Sequence, residues 1–339
     1  MKIGILGVAD IAQRRFLPAI TTIKGVVCGG VAVATFGERG AGGNENDYLE
    51  HRLRRIEEAT ELTHKYGGTV YTSYEDLLED PDIDMVYIPL PPSLHYQWIK
   101  KAFYHGKHVL SEKPCTISYR QTKELVSLAR EKSLLLLENY AFCYHRQFKM
   151  IKDIINSGKL GDIRLVRAAF GFPLRKADDF RYSKKLGGGA LLDCGGYTIK
   201  LAQEILGKDI NIVTANLNYI DDFEVDMFGS VVIRGAQGIE AQLAFGMDNS
   251  YKCEMEIWGS KGRLRTDRIF TPPVDYSATI YVQTDQVYSI SVDPDDSFRN
   301  LIVRAQKCLD NKEIQKNELD ALLLQAWLVE RAMNNLVKI

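Results

Sequence analysis

Through its first 140 residues the chain alternates short apolar runs with longer amphipathic stretches. KIGILG (2–7) is apolar throughout and stops at a glycine, the pattern of a strand buried on both faces. Helical spacing follows from about Asp10 to Thr22, and VVCGGVAVA then supplies a second strand at about 29–34. SYEDLLED predicts a helix, MVYIPL (85–90) a buried strand and SLHYQWIKKAFYHG a helix. HVLSEKP (108–114) is a strand ending in charge and proline, SYRQTKELVSLAREKS a helix and LLLLENY a strand. This alternation predicts a doubly wound parallel sheet.

Beyond about 150 the pattern changes. After a helix at 147–157, IRLVRAAFGF alternates apolar and polar positions. Between 210 and 290 several strand-like runs follow, among them MFGSVVIRG, GIEAQLAFGM, YKCEMEIWGS and VYSISV. Gly, Asp and Asn turns join them, which predicts a largely antiparallel sheet in an α+β domain. Two helices close the chain, at about 296–310 and 317–336. The reading is two domains, 1–118 and 119–339. FGERGAGGNENDYLEHRLRR (36–55) is rich in Gly and charge where a strand-to-helix loop is normally short. It reads as a surface insertion or as a flap over a ligand.

Charge and composition narrow the field. The net charge is −1, which offers no electrostatic basis for a nucleic-acid or membrane partner. No apolar run approaches the roughly 20 residues that span a bilayer. The start, MKIGILGVADIAQRR, lacks the long apolar region of a signal peptide, so the expectation is a cytoplasmic protein. The six cysteines and six histidines show no C-x-x-C and no H-E-x-x-H, so no metal site is expected.

Candidate chemistry begins at the first turn, Gly7-Val8-Ala9-Asp10-Ile11-Ala12. It fits the dinucleotide fingerprint G-x-G-x-x-[GA] with Ala9 at the second glycine. Gly7 makes the tight turn, Ala9 lets backbone approach a diphosphate, and the helix opening at Asp10 and Ile11 presents its positive end. At the end of the second strand an acidic residue would hold a ribose 2′-hydroxyl. The chain has Thr35, Phe36 and Arg39 there, which leave room and charge for a 2′-phosphate, while Glu38 argues the other way. NADP is the expected cofactor, with NAD as the alternative.

Ser111-Glu112-Lys113-Pro114 ends a parallel strand at the edge where such sheets bind ligands. Lys113 there can hold a carbonyl oxygen and lower the pKa of a neighbouring acid. In GGGALLDCGGYTIKLAQEIL (187–206), Asp193 and Tyr197 stand four apart and share a helix face. Tyr197 is a candidate proton donor to a carbonyl. Asp193 is a candidate to hold a substrate hydroxyl or Lys113. Gly195 and Gly196 are unusual inside a helix. They either let a flat ligand approach or pack against other structure. Arg181 reads as a contact for an anionic substrate group or as an ion-pair residue.

GVADIAQRRFLPA, IPLPPSLHYQWIKKAFYHGKHVLSEKP and DDFRYSKKLGGGALLDCGGY resemble the Gfo/Idh/MocA oxidoreductase family, over essentially the whole chain. The resemblance implies a Rossmann domain followed by a domain with an open-faced sheet, which often mediates homodimers or homotetramers. It implies a nicotinamide cofactor and a sugar-like substrate. It makes Lys113 the catalytic lysine, joined to Pro114 by a cis bond, and Asp193 the aspartate of the GGG motif. Many members carry histidine where this chain has Tyr197. Tyrosine is similar to the branch of glucose–fructose oxidoreductase, dihydrodiol dehydrogenase and the nucleotide-sugar 3-ketoreductases, and there it is the acid. LPPSLH matches the family's nicotinamide-side loop, which makes Leu90, Pro91 and His95 cofactor residues, with Glu112 near the nicotinamide ribose. The implied function is hydride transfer to or from a keto-sugar, nucleotide-linked. A non-catalytic sugar or dinucleotide sensor and a dehydrogenase of a non-sugar diol or cyclitol are the other readings.

Overall fold

The computed structural model describes residues 1–40 and 45–334. It divides into two compact units. One comprises Met1–Thr116, Arg120–Asn139 and Leu301–Leu322, and the other Ile117–Tyr119, Tyr140–Asn300 and the chain from Leu323.

In the first unit β1 (Lys2–Leu6), β2 (Val27–Ala32), β3 (Thr69–Tyr71), β4 (Met85–Ile88), β5 (His108–Ser111) and β6 (Leu136–Glu138) form one sheet. Its order is β3-β2-β1-β4-β5-β6, and every pair is parallel. The order reverses between β1 and β4, so the turns after these strands flank the crevice where doubly wound sheets bind ligands. All four residues of β4 are buried, which is why these strands read as continuous apolar runs. β6 pairs with β5, Val109 opposite Leu136. The first sheet therefore extends past residue 118, where the sequence reading ends the first domain.

After β1 the chain is helical from Asp10, through a π turn at Ala12–Phe16 into α1 (Leu17–Ile20). The expected insertion at 36–55 needs correction. Residues 41–44 lie outside the described residues, but from Glu45 the chain forms α2 (Glu45–Tyr66), a helix of 22 residues. Tyr48 and Ala59 on it are buried. Between them Arg52 donates to the carbonyls of Ala34 (3.1 Å) and Thr72 (2.5 Å), and Arg55 to that of Val8 (3.2 Å). An inward face of tyrosine and arginine shows no apolar periodicity, so the helix reads as a loop. The helices α3 (Tyr74–Glu79), α4 (Pro92–Tyr104) and α5 (Tyr119–Lys132) follow the expected pattern.

In the second unit α6 (Arg146–Asn156) precedes β7 (Ile163–Gly171). A π turn at Leu191–Gly195 leads into α7 (Gly196–Leu206). Then come β8 (Ile210–Tyr219), β9 (Asp226–Gly235), β10 (Glu240–Gly246), β11 (Lys252–Gly259), β12 (Arg263–Thr266), β13 (Ala278–Gln283) and β14 (Val287–Val292). The eight strands are ordered β14-β13-β12-β11-β7-β10-β9-β8. β10 and β7 are parallel, and the other pairs antiparallel. One face is packed: Cys253, Met255 and Ile257 of β11 are buried. The alternate face carries Trp258 (53% exposed), Phe228 (41%) and Tyr281 (39%). The helices α8 (Ser297–Asp310) and α9 (Lys312–Asn334) end the described chain.

Among the described residues no helix is long and apolar enough to cross a membrane. No group of three or more His, Cys, Asp and Glu there is arranged to hold a metal ion.

Candidate functional site

Gly7 closes β1 with φ +91°, a conformation that L side chains avoid. Its N–H donates to the Ala32 carbonyl at 2.9 Å. A Cβ there would lie 3.0 Å from the Tyr74 hydroxyl and 3.2 Å from Leu90. The carbonyl of Ala9 accepts from Ala12 (3.0 Å) and Gln13 (3.2 Å). Ile11 is helical with φ −66°, and the exposed Asp10 is bonded to Arg14 Nε at 2.7 Å. A tight turn thus places the N-terminal end of a helix at the sheet's ligand-binding edge, as a diphosphate requires.

At the end of β2 the sequence expects NADP, with Glu38 as the one feature against it. Glu38, the acidic side chain that the sequence sets against NADP, is occupied. Oε2 accepts the Thr35 N–H at 2.7 Å, and Oε1 accepts the N–H groups of Tyr74 (3.0 Å) and Glu75 (3.2 Å). These last two are first-turn donors of α3, which carry the helix's positive end. The Arg39 guanidinium lies over the Phe36 ring (5.3 Å) and the Tyr48 ring (4.8 Å). Arg39 thus stands beside Phe36 and Tyr48 at the end of β2, where the sequence expects the 2′-phosphate of NADP.

Leu90, Pro91 and His95 follow β4. His95 is fully buried. Its Nε2 lies 2.7 Å from the Leu90 carbonyl and its Nδ1 2.8 Å from that of Pro114. Both ring nitrogens are thus engaged by backbone, and the expected direct cofactor contact is replaced by a tie between two loops. Burial pushes its pKa down to about 4, against the upward pull of the two carbonyls. The Lys113–Pro114 peptide is cis. Glu112 accepts Tyr87 Oη at 2.6 Å and Asn139 Nδ2 at 2.5 Å, and burial pushes its pKa up. Tyr87 in turn stacks on Phe16, with centroids 3.8 Å apart. Glu112 is therefore anchored to the sheet, and Lys113, partly buried, follows it.

Asp193 and Tyr197 belong to the second unit. Asp193 sits in the π turn and Tyr197 in the first turn of α7. Asp193 is 9% exposed. Its Oδ2 accepts Arg181 Nε at 2.8 Å, and Arg181 Nη1 also donates to Asp179 at 3.0 Å. Of the two readings of Arg181, the ion pair is the one observed. The Tyr197 ring lies among Tyr140 (5.1 Å), Phe170 (5.2 Å), Phe270 (5.8 Å) and Phe142 (6.1 Å). The glycine pair is explained by packing. A Cβ on Gly195 would lie 3.1 Å from Phe245, and one on Gly196 only 2.3 Å from the Tyr140 hydroxyl. The close approach is to side chains of this unit, so the expected role next to a flat ligand is not needed to account for either glycine.

Sequence reading missed Tyr87 and Asn139, which hold Glu112. It also missed Asp226, whose Oδ2 accepts the Leu191 N–H at 2.7 Å at the start of the π turn. Each is an ordinary polar residue in a strand or at its end, so no local signal marks it.

A family model described as "Oxidoreductase family, NAD-binding Rossmann fold" matches residues 1–140, and one described as "GFO/IDH/MocA C-terminal domain" matches 148–265. Among curated proteins the chain is similar to the dTDP-3,4-didehydro-2,6-dideoxy-alpha-D-glucose 3-reductase of Saccharopolyspora spinosa. The two are 36% identical over 337 residues, 97% of this chain and 96% of that protein. It is also similar to the trans-1,2-dihydrobenzene-1,2-diol dehydrogenase of Xenopus laevis, 29% identical over 60% of this chain and 61% of that protein. Among solved structures it is similar to a 3-ketoreductase from Actinomadura kijaniata in complex with NADP and TDP-benzene. The TM-score is 0.89 with 35% identity, covering 99% of this chain and 98% of that one.

Proposed function

Because the chain belongs to the Gfo/Idh/MocA oxidoreductase family, we propose that it reduces the keto group of a nucleotide-linked sugar, with NADPH as hydride source. The observation that carries the substrate class is the likeness, over 97% of the chain, to a dTDP-sugar 3-reductase. The cofactor choice is supported by Glu38 being spent on backbone amides while Arg39 stays at the end of β2.

When bound, the dinucleotide supplies the hydride. Tyr197 is the residue that gives the proton to the substrate oxygen, and Lys113 is the cation that assists the reaction. Asp193 is neutralised by Arg181 and steadies the turn ahead of Tyr197. Gly7, Ala9, Asp10 and Ile11 receive the diphosphate, Thr35 and Arg39 the 2′-phosphate, and the loop at Leu90 and Pro91 the nicotinamide side. Glu112 and His95 hold that loop and Lys113 in place. The open face of the second sheet, with Trp258, Phe228 and Tyr281 exposed, joins copies of the chain into a homodimer or homotetramer.

The test is NADPH oxidation with a dTDP-linked 3-keto-sugar, compared with NADH and with free sugars, diols and cyclitols. Turnover confined to the nucleotide-linked substrate, faster with NADPH, is expected. Turnover of a free diol or cyclitol, with none of any nucleotide-linked keto-sugar, would overturn the reading.

A further inference from the structure

The aromatic wall around Tyr197 is tied to the C-terminal helix by one amide. Gln325 of α9 is 1% exposed. Its Nε2 donates to the Gly196 carbonyl at 2.8 Å and to the Tyr140 hydroxyl at 3.3 Å. Gly196 is the chain neighbour of Tyr197. The Tyr140 ring stands edge-on to the Tyr197 ring, at 5.1 Å and 87°. The same hydroxyl fills the notch left by the missing Cβ of Gly196. One side chain thus holds both the backbone before Tyr197 and a ring against it.

The tie carries a cost. Oε1 of Gln325 is buried without a hydrogen-bond partner among the described residues. Leaving a buried acceptor unpaired lowers stability, and an apolar side chain of similar size would avoid it. A half-satisfied amide in an aromatic core is a poor choice for stability and a good one for aiming two groups at once. Placement matters because a misplacement of about 1 Å can reduce turnover about a hundredfold.

We propose that Gln325 is a positioning residue for the Tyr197 phenol; this rests on the reading in which Tyr197 donates the proton. Gln325 touches no reacting atom. It sets the ring's orientation through Gly196 and Tyr140.

The test uses the full chain with Gln325→Leu and, separately, Gly196→Ala, which keeps the Gln325 amide, displaces the Tyr140 hydroxyl it donates to and meets Gln325 Nε2 at an ordinary contact distance of 3.8 Å. In both variants kcat is expected to fall tenfold or more at unchanged Kd for NADPH. The solvent deuterium isotope effect on kcat is expected to rise as proton transfer becomes limiting. The Tm of Gln325→Leu is expected to equal or exceed that of the parent. Wild-type kcat in Gln325→Leu overturns the proposal. So does a fall in kcat that tracks a fall in Tm with no change in isotope effect, which marks a purely structural role. Tyr197→Phe separates the layers. If that variant keeps full turnover, the role of Tyr197 falls and this proposal with it. If it is inactive while Gln325→Leu is normal, only the proposal falls.

Discussion

Arg181 Nε donates to Asp193 Oδ2 at 2.8 Å, with the two side chains only 20% and 11% exposed. The pair joins the loop before the glycine run to the π turn that leads into α7. Breaking such a pair on one side leaves a buried charge without its partner.

Arg181→Met is therefore expected to destabilise the protein by about 3 kcal/mol, read by urea unfolding. Adding Asp193→Leu removes one of the two carboxylates that Arg181 holds, Asp179 being the other, and recovers part of that loss. A single variant as stable as the parent would show that solvent already compensates Asp193.

Tyr197→Phe keeps the ring among Tyr140, Phe142, Phe170 and Phe270 and removes only the hydroxyl. Stability and NADPH affinity are expected to hold while kcat drops by roughly 10²–10⁴-fold. Steady-state kinetics with a fluorescence titration of NADPH checks both halves.

Arg39→Ala removes the cation at the end of β2. NADPH affinity is expected to weaken by roughly 10- to 100-fold, the range of a charged hydrogen bond, with little change for NADH. Equal weakening of both dinucleotides would place the 2′-phosphate elsewhere.

Asp226 makes stability depend on pH. Burial pushes its carboxyl up to about 6 from the ordinary 3.8, so the folded state holds the proton more tightly than the unfolded chain. Its contribution is full below about pH 4 and is lost as pH rises through about 6. Asp226→Asn keeps an acceptor for the Leu191 N–H and removes the titration. The variant is expected to gain at most about 3 kcal/mol over the parent above pH 6 and nothing near pH 4. Thermal melts across that range decide it, and parallel curves for the two proteins would contradict the assignment.

How much was legible follows from how local each signal is. The strands of the first sheet show themselves because burial on both faces makes them apolar without interruption, as in MVYI of β4. The turn at Gly7 and the Glu112-Lys113-Pro114 end of β5 are equally local. α2 stayed hidden because its inward face uses Tyr48, Arg52 and Arg55, whose polar ends reach backbone carbonyls. Glu38 looked like a ribose ligand until α3 claimed it.

By itself, the sequence determined most strands and helices, α2 and β3 excepted, with the two sheet types and the family motifs, since each depends on neighbours a few residues apart. Tertiary structure alone decided the partners. Asp193 meets Arg181, Gly195 meets Phe245, and Gly196 meets Tyr140 and Gln325. Gln325 stands 129 positions along the chain from Gly196. No periodicity records which distant side chain fills a given notch, because that is settled when loops close and the core packs without voids.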